Sequence, residues 1–270
     1  TAHPDPRIWT AERDKAMWEA RETGCARRAQ QEAAARAPDG RTSQRAAQRG
    51  HAMKPTAAAS RDFQALEFEY RAAPEQKADA PAYHDVVVVG AGPVGLALAI
   101  DLAQRGISVL VLDDDHRLSS GSRAICFAKR TLEIFDRLGC GQRMAGKGVS
   151  WSVGKVFFKD APLYTFDLLP EVGHCRPAFV NLQQYYVEGF LAERALELPN
   201  LELRWKNRVV ALDRGDTGSV LGIETPDGPY RLRAGHVIAC DGSRSALRAL
   251  LGLETQGRVF HDRFLIADIR

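Results

Sequence analysis

The sequence lacks the marks of several protein classes. Its five cysteines (Cys25, Cys126, Cys140, Cys175 and Cys240) are odd in number and none stands in a CxxC pair. That excludes a disulfide framework or a zinc knuckle and suits a reducing compartment. No apolar run reaches the roughly 18 residues of a membrane helix. The longest candidate, 86–102, is interrupted by Gly, Pro and Asp. The N-terminus has no charged-then-apolar leader, and no serine–histidine–acid arrangement emerges from spacing. Charge of one sign is also scarce. The net value is +3, and residues 1–52, with ten Lys/Arg against seven Asp/Glu, account for all of it. The remaining residues balance to zero, which argues against nucleic acid or an anionic membrane as the main partner. These absences leave a cytoplasmic globular protein with no metal site, and 45% apolar content is enough for a substantial core.

What is present is unevenly spread. Residues 1–52 are rich in Ala, Arg, Gln and Glu, and "RRAQQEAAARAPDGRTSQRAAQRG" is close to low complexity. With few large apolar residues, such a segment cannot offset its ordering entropy, so it is expected to be disordered. Met53 opens a polar leader, "MKPTAAASRDF", and is the expected natural start. Residues 53–83 read as a linker, so 1–83 as a whole is expected to stand outside the fold. From His84 the texture changes to strand, glycine turn, helix and strand in "DVVVVGAGPVGLALAIDLAQRGISVLVLDDD". The near-continuous valine run suits a strand buried on both faces. "AKRTLEIFDRLG" (128–139) has helical spacing and stops on glycine, and "QQYYVEGFLAERALEL" (183–198) is a second helix. Short alternating runs follow, "LELRW", "RVVALDR", "SVLGIET" and "YRLRAGHVIAC", with "TPDGPY" as a turn. The pattern predicts an α/β fold: βαβ first, then a β-rich section returning to the same sheet.

Gly90, Gly92 and Gly95 form G-x-G-x-x-G between a predicted strand and a predicted helix. The first glycine permits a tight turn, the second lets backbone approach a pyrophosphate, and the third lets helix and strand pack closely. The helix N-terminus adds free N–H groups and a positive dipole end. Asp113 ends the second strand 18 residues after Gly95 (113 − 95), where a carboxylate can accept hydrogen bonds from a ribose diol. Asp114 and Asp115 follow it and disfavour a 2′-phosphate. Residues 90–95 (Gly90, Ala91, Gly92, Pro93, Val94, Gly95) with Asp113 and Asp114 therefore constitute a candidate site for FAD or NAD.

Three further stretches come in order: "GSRAICFAKRTLEIFDRLG", "FVNLQQYYVEGFLAER" and "ACDGSRSALR". Together with the glycine loop they resemble the FAD-dependent aromatic hydroxylases, single-component flavoprotein monooxygenases with a para-hydroxybenzoate hydroxylase-like fold. The nearest likeness is to the 3-(3-hydroxyphenyl)propionate hydroxylase type, and it runs from about Asp85 to Arg270. The resemblance implies a Rossmann-like FAD-binding domain over 84–262. Residues 263–270 would then begin a β-rich substrate domain, with "HDRFLIADIR" as its first strand and the chain an N-terminal portion of a longer enzyme. It implies that the three glycines wrap the FAD pyrophosphate and Asp113 holds the adenosine ribose. Arg123 would reach the diphosphate and ribityl region. Gln184, or Gln183 in a register one residue earlier, would contact the cofactor, and Asp241 and Gly242 would touch FAD near the NAD(P)H path. Arg244 and Arg248 can offset the charge of Asp241, which is also placed to cap the following helix.

The implied reaction uses NAD(P)H and O2 to hydroxylate a small aromatic, phenolic substrate through a flavin hydroperoxide, in a protein that can be a homodimer. No catalytic residue is assigned. The alternatives are another FAD-dependent oxidoreductase or an inactive dinucleotide-binding fragment.

Overall fold

In the computed structural model, residues 66–78, 80–119, 123–216 and 218–263 are described. The expectations for residues 1–52 and for the strand after residue 263 lie outside them. Along the chain come β1 (Ala82–Val89), α1 (Pro93–Gln104), β2 (Val109–Leu112), β3 (Cys126–Ala128), α2 (Lys129–Leu138), α3 (Gly141–Lys147) and β4 (Val149–Trp151). They are followed by β5 (Val153–Phe158), β6 (Ala161–Asp167), β7 (Phe179–Asn181), α4 (Gln184–Leu196), β8 (Leu201–Arg204), β9 (Arg208–Gly215), β10 (Gly218–Glu224), β11 (Tyr230–Ala239) and α5 (Ala246–Leu250).

The main sheet has the order β8-β2-β1-β11-β10-β9. Strands β8, β2, β1 and β11 run parallel, while β10 and β9 return antiparallel. The valine run explains why this sheet needs cover on both sides. Val86 and Val88 enter one buried cluster with Leu96, Ile100, Val187 and Leu191, from α1 and α4. Val87 and Val89 enter a second with Leu221, Ile223, Leu232 and Leu247. β2 divides in the same way, Val109 and Val111 to the first cluster, Leu110 and Leu112 to the second. Strand residues alternate faces, so a strand with apolar partners on both sides must be apolar at every position. Each fully buried aliphatic side chain contributes about 1.5–3 kcal/mol.

The helix expected over 128–139 is α2, and Gly139 ends it in the left-handed conformation at φ 89°. The helix expected over 183–198 is α4, with Gln183 as its N-cap residue. Strands β3, β7 and β4 form a small second sheet. Residues Trp151–Ala178 form a separate unit around the antiparallel hairpin of β5 and β6. On that hairpin Phe157, Phe158, Leu163 and Tyr164 are exposed.

Residues 66–78 depart from the linker expected there. Leu66, Phe68 and Ala73 are buried, and the Phe68 ring stacks on Trp205 with centroids 4.1 Å apart and planes 7° from parallel. Glu75, in a short 3-10 turn (Pro74–Lys77), is buried as well. Its carboxylate lies 3.0 Å from Arg204 Nη1, accepts from Arg204 Nη2 at 3.1 Å and meets His84 Nε2 at 2.9 Å. Arg204 also donates to Glu202 (2.7 Å) and to the Tyr230 hydroxyl (3.2 Å), which in turn donates to Asn207 Oδ1 (2.7 Å). A buried acid reads as linker in sequence because its partner stands 129 residues away.

Burial alone would raise the Glu75 carboxyl, but the hydrogen bonds from Arg204 and His84 outweigh it and hold the group below 4.5. Burial likewise lifts the Tyr230 hydroxyl, against the opposing pull of Arg204. The fold therefore favours ionised Glu75, and its stabilisation is complete above the unfolded value of 4.5 and is lost as pH falls through the lower folded one. Glu75→Gln removes the buried one of the two carboxylates paired with Arg204, leaving Glu202, and should cost about 1–3 kcal/mol at pH 7. In urea unfolding, the gap between wild type and variant is expected to narrow steadily once pH drops below 4.5.

Candidate functional site

The ends of β1 and β11 meet backbone to backbone, and this contact fixes the glycine turn. Cys240 N–H donates to the Val89 carbonyl (2.7 Å), and Gly90 N–H donates to the Leu112 carbonyl (2.8 Å). Gly90 sits at φ 106°, and a Cβ there would run into the Cys240 carbonyl and come within 2.9 Å of Asp241 N. A Cβ on Gly95 would fall on the Gly90 carbonyl oxygen and lie 3.2 Å from Cys240 Cβ. Those two glycines are required by the chain's own packing. Gly92 is not: it has an extended backbone, and a Cβ built on it meets nothing within 4 Å.

Gly92 is also the N-cap residue of α1, a helix whose first turn receives no side-chain cap. Pro93 occupies the first helical position without an N–H to satisfy, Ala91 is buried, and Val94 is exposed. The free N–H groups and the dipole of this end favour an anion in the open space beside Gly92.

Asp113 stands at the end of β2, partly buried next to that turn. One carboxylate oxygen accepts from Ala91 N–H at 2.5 Å and the other from Asp115 N–H at 2.8 Å. An ionised carboxylate has about four acceptor positions, so two remain for a ligand. Burial raises the group above 3.8, the two backbone N–H bonds oppose that, and Asp114 and Asp115 add to the rise. Asp114 itself is exposed.

Asp241 follows β11 and turns its carboxylate onto its own downstream helix. Oδ1 accepts from the Ser245 hydroxyl (2.6 Å) and Oδ2 from Leu247 N–H (3.0 Å), while Ser245 Oγ caps Arg248 N–H at 2.9 Å. Gly242 supplies the φ of 74° that lets the chain turn there. Arg248 donates to the Ser243 carbonyl (2.6 Å), and Arg244 is exposed. The side chain of Asp241 thus caps a helix, and the backbone beside it is what approaches the glycine turn.

Arg123 is exposed before β3, next to residues 120–122, which lie outside the description. Gln184 donates its amide to Glu188 Oε1 at 2.7 Å, and Glu188 Oε2 accepts from Ser119 N–H at 2.7 Å. Gln183 is exposed instead and lines a cleft of about 500 Å³ with Ile125, Lys147, Asn181, Tyr185 and Tyr186. Sequence reasoning missed Glu188, a buried acid that ties α4 to the segment leading into Arg123. The signal was present, since glutamine and glutamate four apart share one helix face.

The profile of a family described as FAD binding domain matches residues 83–269. The chain belongs to the FAD binding domain family. FAD is the cofactor of this domain. The chain is 32% identical over 187 residues to the para-nitrophenol 4-monooxygenase of Pseudomonas sp. strain WBC-3, covering 68% of this chain and 46% of that one. It is 27% identical over 191 residues to a 3-(3-hydroxy-phenyl)propionate/3-hydroxycinnamic acid hydroxylase of Mycolicibacterium smegmatis, covering 71% and 34%. Among solved structures it resembles a p-nitrophenol 4-monooxygenase from Pseudomonas putida DLL-E4, with TM-score 0.63, 30% identity, and 67% and 46% coverage. A flavin-dependent monooxygenase solved with FAD and substrate gives TM-score 0.60 at 27% identity, covering 66% and 34%. The chain thus spans less than half the length of these relatives.

The two kinds of glycine separate in a stability measurement. Gly95→Ala must displace the Gly90 carbonyl and is expected to cost at least about 1–3 kcal/mol. Gly92→Ala, with open space around it, should lower the unfolding free energy of the cofactor-free protein by no more than about 0.5–1 kcal/mol, the N-cap preference for glycine over alanine.

Proposed function

We propose that this protein is the FAD-binding portion of a monooxygenase that hydroxylates a phenolic ring with NAD(P)H and O2. The observation that carries the cofactor end of this reading is Gly92: no side chain of the fold fills the space beside it, and that space adjoins a helix end with no side-chain cap. That is where a pyrophosphate would lie against backbone N–H groups. The βαβ unit of β1, α1 and β2 then acts as a Rossmann-type dinucleotide site. Asp113 uses its two remaining acceptor positions for the adenosine ribose, and residues 90–95 cradle the diphosphate. Gly242 brings backbone rather than the Asp241 carboxylate towards the phosphates, which avoids setting one anion against another. Arg123 supplies positive charge to the diphosphate and ribityl region, and Gln184, held by Glu188, positions the start of α4 beside it.

Bound FAD supplies the redox chemistry: NAD(P)H furnishes two electrons, one atom of O2 enters the ring and the other leaves as water. The cofactor domain of this reading takes in the packed segment 66–78 as well as the sheet that begins at Ala82, with a β-rich substrate domain proposed from 263. The enzyme would work in the cytoplasm, alone or as a homodimer. The substrate class rests on the relatives' names, two of which specify phenols.

Two measurements test the reading. In the intact protein, p-nitrophenol or 3-(3-hydroxyphenyl)propionate should stimulate NAD(P)H oxidation with stoichiometric O2 uptake and a hydroxylated product. NAD(P)H oxidation with no ring product would instead mark another FAD-dependent oxidoreductase, and FAD binding without either would mark a module that only binds.

Asp113 gives a pH signature. The ionised carboxylate is the better acceptor, and its value is raised, so FAD affinity should start to fall at a pH above 3.8 as the group protonates. Asp113→Asn is expected to weaken FAD binding about tenfold at pH 7 and to abolish that acid dependence.

A further inference from the structure

We infer that the segment 66–78, upstream of the family match at residue 83, is a strap that positions Asp113 for the adenosine half of FAD. The inference rests on the FAD reading above and concerns residues which that reading does not use.

Three consecutive carboxylates, Asp113, Asp114 and Asp115, make the turn after β2 self-repelling, yet a ribose acceptor must hold one orientation. Local backbone bonds hold it from the β8–β9 connection: Asp113 N–H donates to the Arg204 carbonyl (3.0 Å), Asn207 N–H to the Asp113 carbonyl (2.7 Å), and Lys206 N–H to the Asp115 carbonyl (3.0 Å). The strap grips both partners of this clamp. On the turn itself, Phe68 N–H donates to the His116 carbonyl at 2.6 Å, and the backbones of Glu67 and Arg117 form an isolated antiparallel β-bridge. On the connection, the Phe68 ring stacks on Trp205, and Glu75 pairs with the Arg204 side chain whose carbonyl holds Asp113. One short segment therefore touches the turn and both sides of its support. A cover over an apolar edge would need only the burial of Leu66 and Phe68. The main-chain bond to His116 and the ion pair to Arg204 add orientation.

FMN contains the flavin, the ribityl chain and one phosphate but no adenosine, so it separates positioning from general stability. The experiment titrates the intact protein, wild type and the variants Phe68→Leu and Trp205→Leu, with FAD and with FMN, alongside hydrogen exchange across residues 113–117. Both substitutions keep an apolar side chain and remove the ring stack, and either variant alone suffices if the other fails to fold. The expected result is a Kd for FAD about tenfold higher, a Kd for FMN within about twofold of wild type, and faster exchange over the turn. Equal weakening of both flavins, or no change in either, overturns the inference and reduces the strap to a structural cover. A wild-type protein that binds neither flavin overturns the FAD reading and the strap's role with it, an outcome distinct from the first two.

Discussion

The parallel pairing of β1 with β11 is the constraint on which the rest of the structure depends. Val89 and Ala239 stand in register at the ends of the two strands, and the chain leaves both at the same level of the sheet. Two turns then compete for one volume. Gly90 resolves the competition by having no side chain, and Gly242 resolves it by turning through a left-handed φ. Pairing over seven registered positions makes this approach reproducible, since neither strand can slide by one residue without exchanging its two buried faces.

From that contact the electrostatics follow. Backbone N–H groups at the start of α1 and a partly buried carboxylate at Asp113 lie on either side of Ala91, whose own N–H is already given to Asp113. The site thus presents donors on one side and acceptors on the other, and on the proposed reading these would meet the phosphates and the sugar hydroxyls of an ADP moiety in turn. An Asp241 carboxylate facing the glycine turn would oppose such an anion. Its two hydrogen bonds to Ser245 and Leu247 turn it away, and they hold the start of α5 at the same time.

Much of this was legible in sequence because the signals are local. The valine run, the glycine spacing and the position of Asp113 lie within one βαβ unit, and each reports a short-range requirement. Gly139 as a helix stop and the "TPDGPY" turn, with Gly228 at φ 112°, belong to the same class. The strap was illegible for the opposite reason. Its residues 66–70, "LEFEY", do alternate apolar and acidic as a strand does, but the run is short, and the burial of Ala73 and Glu75 rests on distant partners, those of Glu75 on β1 and β8. Glu188 falls between these cases, with one partner four residues away and the other, Ser119, 69 residues away. The geometry alone distinguishes Gly92, with open space around it, from Gly90 and Gly95.

That distinction bears on how glycine motifs are weighed. A glycine that a strand or carbonyl already forbids to carry a side chain reports on the fold, and it persists whether or not a ligand is ever bound. Gly90 and Gly95 are of this kind. A glycine with open space and ordinary dihedrals is not forced by the fold, although at a helix N-cap it is preferred over alanine. At Gly92 neither sterics nor dihedrals exclude a capping Ser, Asp or Asn, and on the proposed reading a diphosphate takes the place of such a cap. On that reading, the uncapped helix end at the same residue favours a negatively charged partner.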